Sequence, residues 1–255
     1  MNFNRIGFVT LVRRELRRTL QIVNQVVWPP LISTLLYILI IGLSVGSRIQ
    51  IDTGVPYVAF LIPGLVALTV IESSYGEGSS SLFQHRFMNS IQELLVAPLS
   101  YWEIVGGFIL GSVVRALVLG CLLLLFLPTF SGLWPGSWVL TLLLMTLISV
   151  LFTAIGLLMA LYAEKWDQIA IPQVFVFTPL IWVGGAFSPL QLLPASMQTI
   201  ARFNPMFYII DGLRQAVLGV GEAPFWVSLL VTLTLSAGFL YWVLHCFKTG
   251  FKLRV

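Results

Sequence analysis

The chain has 255 residues, of which 58% are hydrophobic and only 9% charged, and its mean hydropathy is +0.96. A soluble domain carries about 25% charged residues, so these few charges could not cover a water-facing surface, and the bilayer must be the solvent for most of the chain. At about 20 apolar residues per span, the length accommodates six spans with short loops and leaves no room for a soluble nucleotide-binding domain.

In chain order, residues 3–25 predict a helix that does not span. Val9, Val12, Leu16, Leu20 and Val23 recur at steps of three and four, with Arg13, Arg14, Arg17, Arg18 and Gln21 mostly on the other face. That is the pattern of a basic amphipathic helix in the headgroup region, or of one packed on a soluble partner. The first span is residues 26–46, with Pro29 and Pro30 near its start, where early N–H groups need no acceptor. This run is long enough to span, so it reads as a span rather than a cleaved leader. The second span is 56–80, followed by a polar stretch from Gln84 to Glu103. The third is 104–127 and the fourth 137–162, joined by a turn with Pro128, Gly132, Pro135 and Gly136. A charged loop, Glu164-Lys165-Trp166-Asp167, precedes the fifth span, 169–187, which contains Pro172 and Pro179. Residues 188–224 are too long for a tight turn and too apolar for a free loop. With Pro189, Pro194 and Pro205 they predict short helices dipping into the outer leaflet, buried in protein or lining a cavity. The sixth span is 225–247, and 248–255 form a basic tail. The whole chain, 1–255, is one transmembrane domain of all-α class.

Lysines and arginines near the span ends set the orientation. With both termini in the cytoplasm, Arg5, Arg13, Arg14, Arg17, Arg18, Arg86, Lys165, Lys248, Lys252 and Arg254 lie inside, and Arg48, Arg202 and Arg214 outside. Arg115, Glu72 and Glu77 fall within the hydrocarbon, where an unpaired charge costs a few kcal/mol or more. At about 1.5 Å per residue, Glu72 and Arg115 lie roughly 14 and 16 Å from the inner ends of their spans. The matching depths predict a Glu72–Arg115 pair that either fixes the packing of spans two and three or serves a conduit or gate. Glu77, nearer the boundary, would reach the headgroups or line a conduit. Gly42-x-x-x-Gly46 and Gly107-x-x-x-Gly111 offer small faces for close helix approach, the first also suiting a dimer contact. Cys121 and Cys246 lie in apolar stretches with no partner at metal or redox spacing and read as small packed hydrophobes.

The inner stretch from Ser90 to Ser100 is a short apolar helix pattern ended by Pro98. It would expose Leu94, Leu95 and Leu99 to water unless it lay on the membrane or docked on a cytoplasmic partner. None of Lys165, Lys248 and Lys252 follows a glycine, so there is no P-loop. There is no H-E-x-x-H, no G-x-S-x-G and no evident internal repeat. Neither a catalytic nor a metal site is predicted, and no cofactor is expected on this chain.

Several pieces carry a resemblance. They are Pro29-Pro30, Phe60-Leu61-Ile62-Pro63-Gly64-Leu65, Glu93-Leu94-Leu95-Val96-Ala97-Pro98-Leu99, Leu193-Pro194, Asn204-Pro205-Met206-Phe207-Tyr208 and Gly212-Leu213-Arg214. Over nearly its whole length the chain resembles the membrane subunit of ABC-2 type transporters, the polysaccharide, nodulation-factor and drug exporters, and most nearly the YadH-type permeases. The resemblance implies six spans, an N-terminal interface helix and two short re-entrant helices before the last span. It implies a homodimer with two copies of a separate P-loop ATPase that binds ATP and Mg, in a bacterial inner membrane. Residues 91–99 would be the coupling helix, contacting the ATPase through Ile91, Glu93, Leu94, Leu95, Pro98 and Leu99. Glu164, Lys165 and Asp167 would add a smaller contact. The conduit would lie between two permeases. Glu77, Trp182, Phe187, Phe207 and Tyr208 are candidates to line it, unless these aromatics form an ordinary interfacial belt. Membrane lipid is the other expected partner; nothing points to nucleic acid. The cargo would be an amphipathic, lipid-linked, glycan or drug-like molecule. The competing readings are an ion-coupled transporter using Glu72 and Glu77 as proton sites, and a membrane enzyme or assembly factor working without an ATPase.

Overall fold

The computed structural model describes residues 4–43, 54–88 and 90–253, with Leu43 and Leu95 described by backbone only. All regular elements among them are helical. They are α1 (Arg5–Gln21), α2 (Val23–Tyr37) continued by a π-helical stretch (Ile38–Leu43), α3 (Tyr57–Phe87), α4 (Ile91–Val96), α5 (Tyr101–Leu124), α6 (Phe126–Ser131) and α7 (Trp138–Tyr162). Then come α8 (Trp166–Pro172), a π-turn (Gln173–Phe177), α9 (Thr178–Val183), a 3-10 turn (Leu190–Leu192), α10 (Ala195–Phe203), α11 (Pro205–Leu218) and α12 (Phe225–Thr249). Gly46, Arg48, Arg254 and the Leu95 side chain, used in the sequence reading, lie outside the described residues.

Five stretches are long and apolar enough to cross a membrane: Val23–Gly42, Tyr57–Phe87, Tyr101–Ser131, Trp138–Tyr162 and Phe225–Thr249. They match the first four predicted spans and the sixth. The predicted fifth is a helical run in three pieces of 7, 5 and 6 residues, α8, the π-turn and α9. Pro172 has no N–H to return to the preceding turn, and the helix loosens directly after it. The first span also differs. α2 begins at Val23, so Pro29 and Pro30 sit inside the helix rather than in its first turn, and each removes a ladder hydrogen bond.

α3 is the axis of the bundle. In its apolar window 78% of residues are buried, against 22% in α2 and 28% in α12, which lie on the outside. A helix that is apolar on every side is buried on every side, and α3 packs against α5, α7 and α11. Small residues bring α3 and α7 close. A methyl group at Gly156 would lie 2.6 Å from Tyr75 O and 2.8 Å from Ser79 N, and one at Gly78 would lie 2.7 Å from Thr153 O. Along this seam Ser74 Oγ donates to Ser149 Oγ (2.8 Å) and Thr153 Oγ1 to Ser112 Oγ (2.7 Å), so α3, α5 and α7 share buried hydroxyl pairs. Gly156→Ala is expected to lower unfolding stability by roughly 1–3 kcal/mol, because the obstructing atoms are backbone and cannot swing away. Gly76→Ala, whose methyl meets nothing within 4 Å, is the control that keeps wild-type stability in the same thermal melt.

Candidate functional site

α1 packs alongside α5. Asn4 Oδ1 caps it by accepting from Gly7 N at 3.0 Å. The face turned to the protein carries Leu11 and Glu15, 3% and 2% exposed. These two side chains, four apart, sit over Gly107 and Gly111, also four apart: methyl groups there would lie 2.5 Å from Leu11 Cδ2 and 2.8 Å from Glu15 Cβ. The small face of α5 therefore receives the amphipathic helix. Gly42 likewise packs within the chain, against Val58 and Leu61 of α3. Val9, Leu20 and Val23, from the predicted apolar face of α1, remain exposed and are free to meet lipid.

Glu15 reaches α3. Ser81 Oγ donates to Glu15 Oε2 at 2.7 Å, and Arg18 Nη2 lies 3.3 Å from the same oxygen. Burial acts to raise this carboxyl, but His85, Ser81 and Arg18 together hold it below the usual carboxylate range. Arg14 Nη2 lies 2.9 Å from His85 Nε2, and His85 Nδ1 lies 2.7 Å from Ser90 Oγ. Deeper in, Arg18 Nη2 donates to Glu77 Oε1 at 2.5 Å, and Arg115 Nη1 donates to Glu77 Oε2. One carboxylate on α3 thus joins α1 to α5.

This corrects the predicted pairing. Arg115 engages Glu77, while Glu72 has no hydrogen-bond or ion-pair partner among the described residues. Matching depth ignored helix phase. Five residues separate Glu72 from Glu77, a turn of about 140° at 3.6 residues per turn, so the two carboxylates point to different neighbours. Side chains also lean toward the N-terminus of their helix. α5 starts where α3 ends, so Arg115 leans down the bundle and Glu77 leans up to meet it. Glu77 is 3% exposed and bound by two guanidiniums.

The predicted coupling segment folds as α4 up to Val96, with Ala97 extended at its end. Ile91 and Leu94 are buried, at 4% and 7% exposure, whereas Val96 is 86% exposed and Gln92, Glu93 and Pro98 also face outward. Ile91 and Leu94 are therefore anchors, and among the described side chains of this segment Gln92, Glu93, Val96 and Pro98 are the ones presented outward. Leu99 is half-buried against Gly7. Asn4 Nδ2 donates to Pro98 O at 3.2 Å, and Asn4 N donates to Glu103 Oε1. Glu103 in turn closes a capping box with Ser100 at the start of α5. The chain after α4 is thereby fastened both to α1 and to α5. Glu164, Lys165 and Asp167 are exposed, and Trp166 meets Phe83 edge-on at 5.3 Å. Arg86 Nη1 donates to Ala163 O at 3.1 Å and to Ala160 O, so the end of α3 supports both outward patches.

At the other end of the bundle the Phe60–Leu65 piece and the Gly212-Leu213-Arg214 piece meet at Arg214, a fully buried side chain among the charges counted as outer. Its guanidinium carbon lies 3.7 Å from the centre of the Phe60 ring, and Nη2 donates to Gly185 O at 2.6 Å. A methyl group at Gly64 would lie 2.1 Å from Ala186 O, which explains the glycine that follows Pro63. Asp211 accepts from Glu222 N and Ala223 N at 3.0 Å each and from Gln215 Nε2 at 2.7 Å. The aromatics form two groups. Trp182 and Phe187 meet at 5.4 Å, with Tyr37 of α2 at 5.6 Å from Phe187. Phe207, 3% exposed, meets Tyr208 at 5.1 Å within a separate small cluster that includes Leu190 and Ala201.

Among the described residues no group of three or more His, Cys, Asp or Glu side chains forms a metal-ligand set. A family model described as "ABC-2 type transporter" matches residues 7–218. The chain is 36% identical over 219 residues to the inner membrane transport permease YadH of Escherichia coli (strain K12), covering 86% of each chain. It is 26% identical over 180 residues to nodulation protein J of Sinorhizobium fredii, covering 70% of this chain and 68% of that one. The same protein of Rhizobium leguminosarum bv. trifolii is 26% identical over 186 residues, 72% and 71% of the two chains.

Proposed function

Because the chain belongs to the ABC-2 type transporter family, we propose that it is the permease subunit of an ABC exporter, forming the path as a homodimer and driven by a separate cytoplasmic ATPase. As a family member with several membrane-crossing helices it is a multi-pass bacterial inner-membrane protein and not itself the ATPase. In this reading the run α8–α9 completes six spans and both termini are cytoplasmic. α10 and α11 re-enter the outer leaflet, and the cargo is an amphipathic, lipid-linked, glycan or drug-like molecule.

One observation carries the reading: α4 is anchored by Ile91 and Leu94 yet turns Val96, Glu93 and Gln92 outward, and its exit is tied to α1 through Pro98 and Leu99. A push on α4 would pass to α1, and from Glu15 and Arg18 to α3 and, through Glu77, to α5. Affinity purification of the full chain from its native membrane is expected to bring down a P-loop ATPase. A Glu93→Arg/Val96→Asp double variant should lose that ATPase by at least about tenfold, the scale of a hot-spot contact, while its own melting temperature stays unchanged. A permease that purifies alone, or a variant that keeps the ATPase, would remove the reading. The ion-coupled alternative now rests on Glu72, because Glu77 is bound in ion pairs. It requires that Glu72→Gln abolish transport driven by a pH gradient in vesicles without ATP.

A further inference from the structure

Between α1 and the end of α3 runs a groove of about 650 Å3, lined by Arg13, Arg14 and Arg17 on one side and by Gln84, His85 and Ser90 on the other. Arg13 and Arg17, one turn apart, have no hydrogen-bond or ion-pair partner among the described residues. Two carboxylates that face α1 are already engaged: Glu15 by Ser81 and Arg18, and Glu77 by Arg18 and Arg115. Guanidiniums one turn apart on a helix repel each other. They gain when an anion enters between them, and a forked guanidinium suits the oxygens of a phosphate. Met88, which lines the groove, is 64% exposed, and apolar side chains on the two helices that carry or follow the arginines are exposed as well: Val9 and Leu20 on α1 (45% and 67%) and Val23 and Trp28 on α2 (40% and 58%). Exposed aliphatic side chains and a tryptophan beside a basic helix are the signature of the headgroup layer.

We propose that this groove binds the phosphate headgroup of an anionic amphiphile of the inner leaflet, with Arg13 and Arg17 on the phosphate and the exposed apolar side chains of α1 on the acyl chains. A free phosphate would use the arginines and leave those side chains idle; an amphiphile uses both. The inference is independent of the ATPase, because it needs only α1 at the membrane surface.

The test is native mass spectrometry of the full chain in detergent with phosphatidylglycerol or phosphatidylcholine added at equal concentration. Wild type is expected to retain phosphatidylglycerol preferentially. Arg13→Gln/Arg17→Gln should reduce that retention by roughly tenfold or more, since each cation near an anionic lipid surface contributes measurably to binding. Neither residue belongs to the Glu15–Glu77 network, so the variant should keep its melting temperature. Lys248→Gln, which removes a charge from the far end of α12, should leave retention as in wild type. Equal retention by wild type and the arginine variant overturns the proposal. So does an equal loss on Lys248→Gln, which would mean diffuse surface charge. Inorganic phosphate that displaces the lipid at equal concentration would assign the groove to a free phosphate. If the arginine variant loses a bound ATPase and keeps its lipid, the occupant is an acidic protein surface.

Discussion

Replacing Glu77 by alanine is expected to destabilise the protein by roughly 3–5 kcal/mol, the range for stranding a buried charge by removing its partner. The change strands two cations, Arg18 from α1 and Arg115 from α5, which now meet across one carboxylate. Arg115→Ala should be milder, because Glu77 keeps Arg18. The two changes together should cost clearly less than the sum of the separate losses, by roughly 1–3 kcal/mol, as expected of residues within one network. Glu72→Ala combined with Arg115→Ala should be additive, since no contact joins them. Thermal unfolding in detergent gives all these values. A second readout separates docking from global stability: a cysteine placed at Gln21, at the end of α1, should react faster with a polar thiol reagent in the Glu77→Ala background. Strong coupling between Glu72 and Arg115, with none at Glu77, would restore the pairing expected from depth alone.

Much of the architecture was legible in the sequence because a bilayer imposes a simple rule on composition, and length and apolarity alone locate five of the six predicted spans. What was not legible turns on helix phase and on what occupies a small face. Gly107 and Gly111 announced a close neighbour, but only the register of Leu11 and Glu15 shows that the neighbour is α1. Glu15 was the one acid in a run of arginines, but the apolar face read from Val9, Val12, Leu16, Leu20 and Val23 included neither it nor Leu11, the two side chains that are buried. Arg214 was counted by side of the membrane alone, and such a count says nothing about depth of burial: the side chain is enclosed against Phe60 and Gly185. The hint was its place in Gly212-Leu213-Arg214, where Gly212 abuts Ser228 of α12. Of residues 91–99, read as a helix, 91–96 form one, and a six-residue helix has two sides. Periodicity cannot tell which of Leu94 and Val96 faces out until the bundle beneath is known.

The opposite end of the bundle should behave differently from the Glu77 network under the same kind of measurement. Arg214→Ala is expected to cost roughly 3–5 kcal/mol, because it empties a fully buried site and removes the donor to Gly185 O. Arg214→Lys should recover only part of this. A planar guanidinium can stack on Phe60 at 3.7 Å while it donates sideways to the carbonyl, and a compact ammonium cannot do both. Asp211 is nearby, yet Arg214 Nη1 stands 3.8 Å from it, and both Asp211 oxygens are taken by Glu222 N, Ala223 N and Gln215 Nε2. The acid therefore holds the turn before α12, and the base holds the turn after α9. Arg214→Ala and Asp211→Asn should accordingly add to within about 0.5 kcal/mol, as independent sites do. Two acid–base pairs in one bundle would then give opposite cycles, strongly coupled at Glu77–Arg115 and nearly additive at Asp211–Arg214. A coupling energy above about 1.5 kcal/mol for the second pair would mean that the charge opposite Arg214, and not the ring and the carbonyl, keeps it buried.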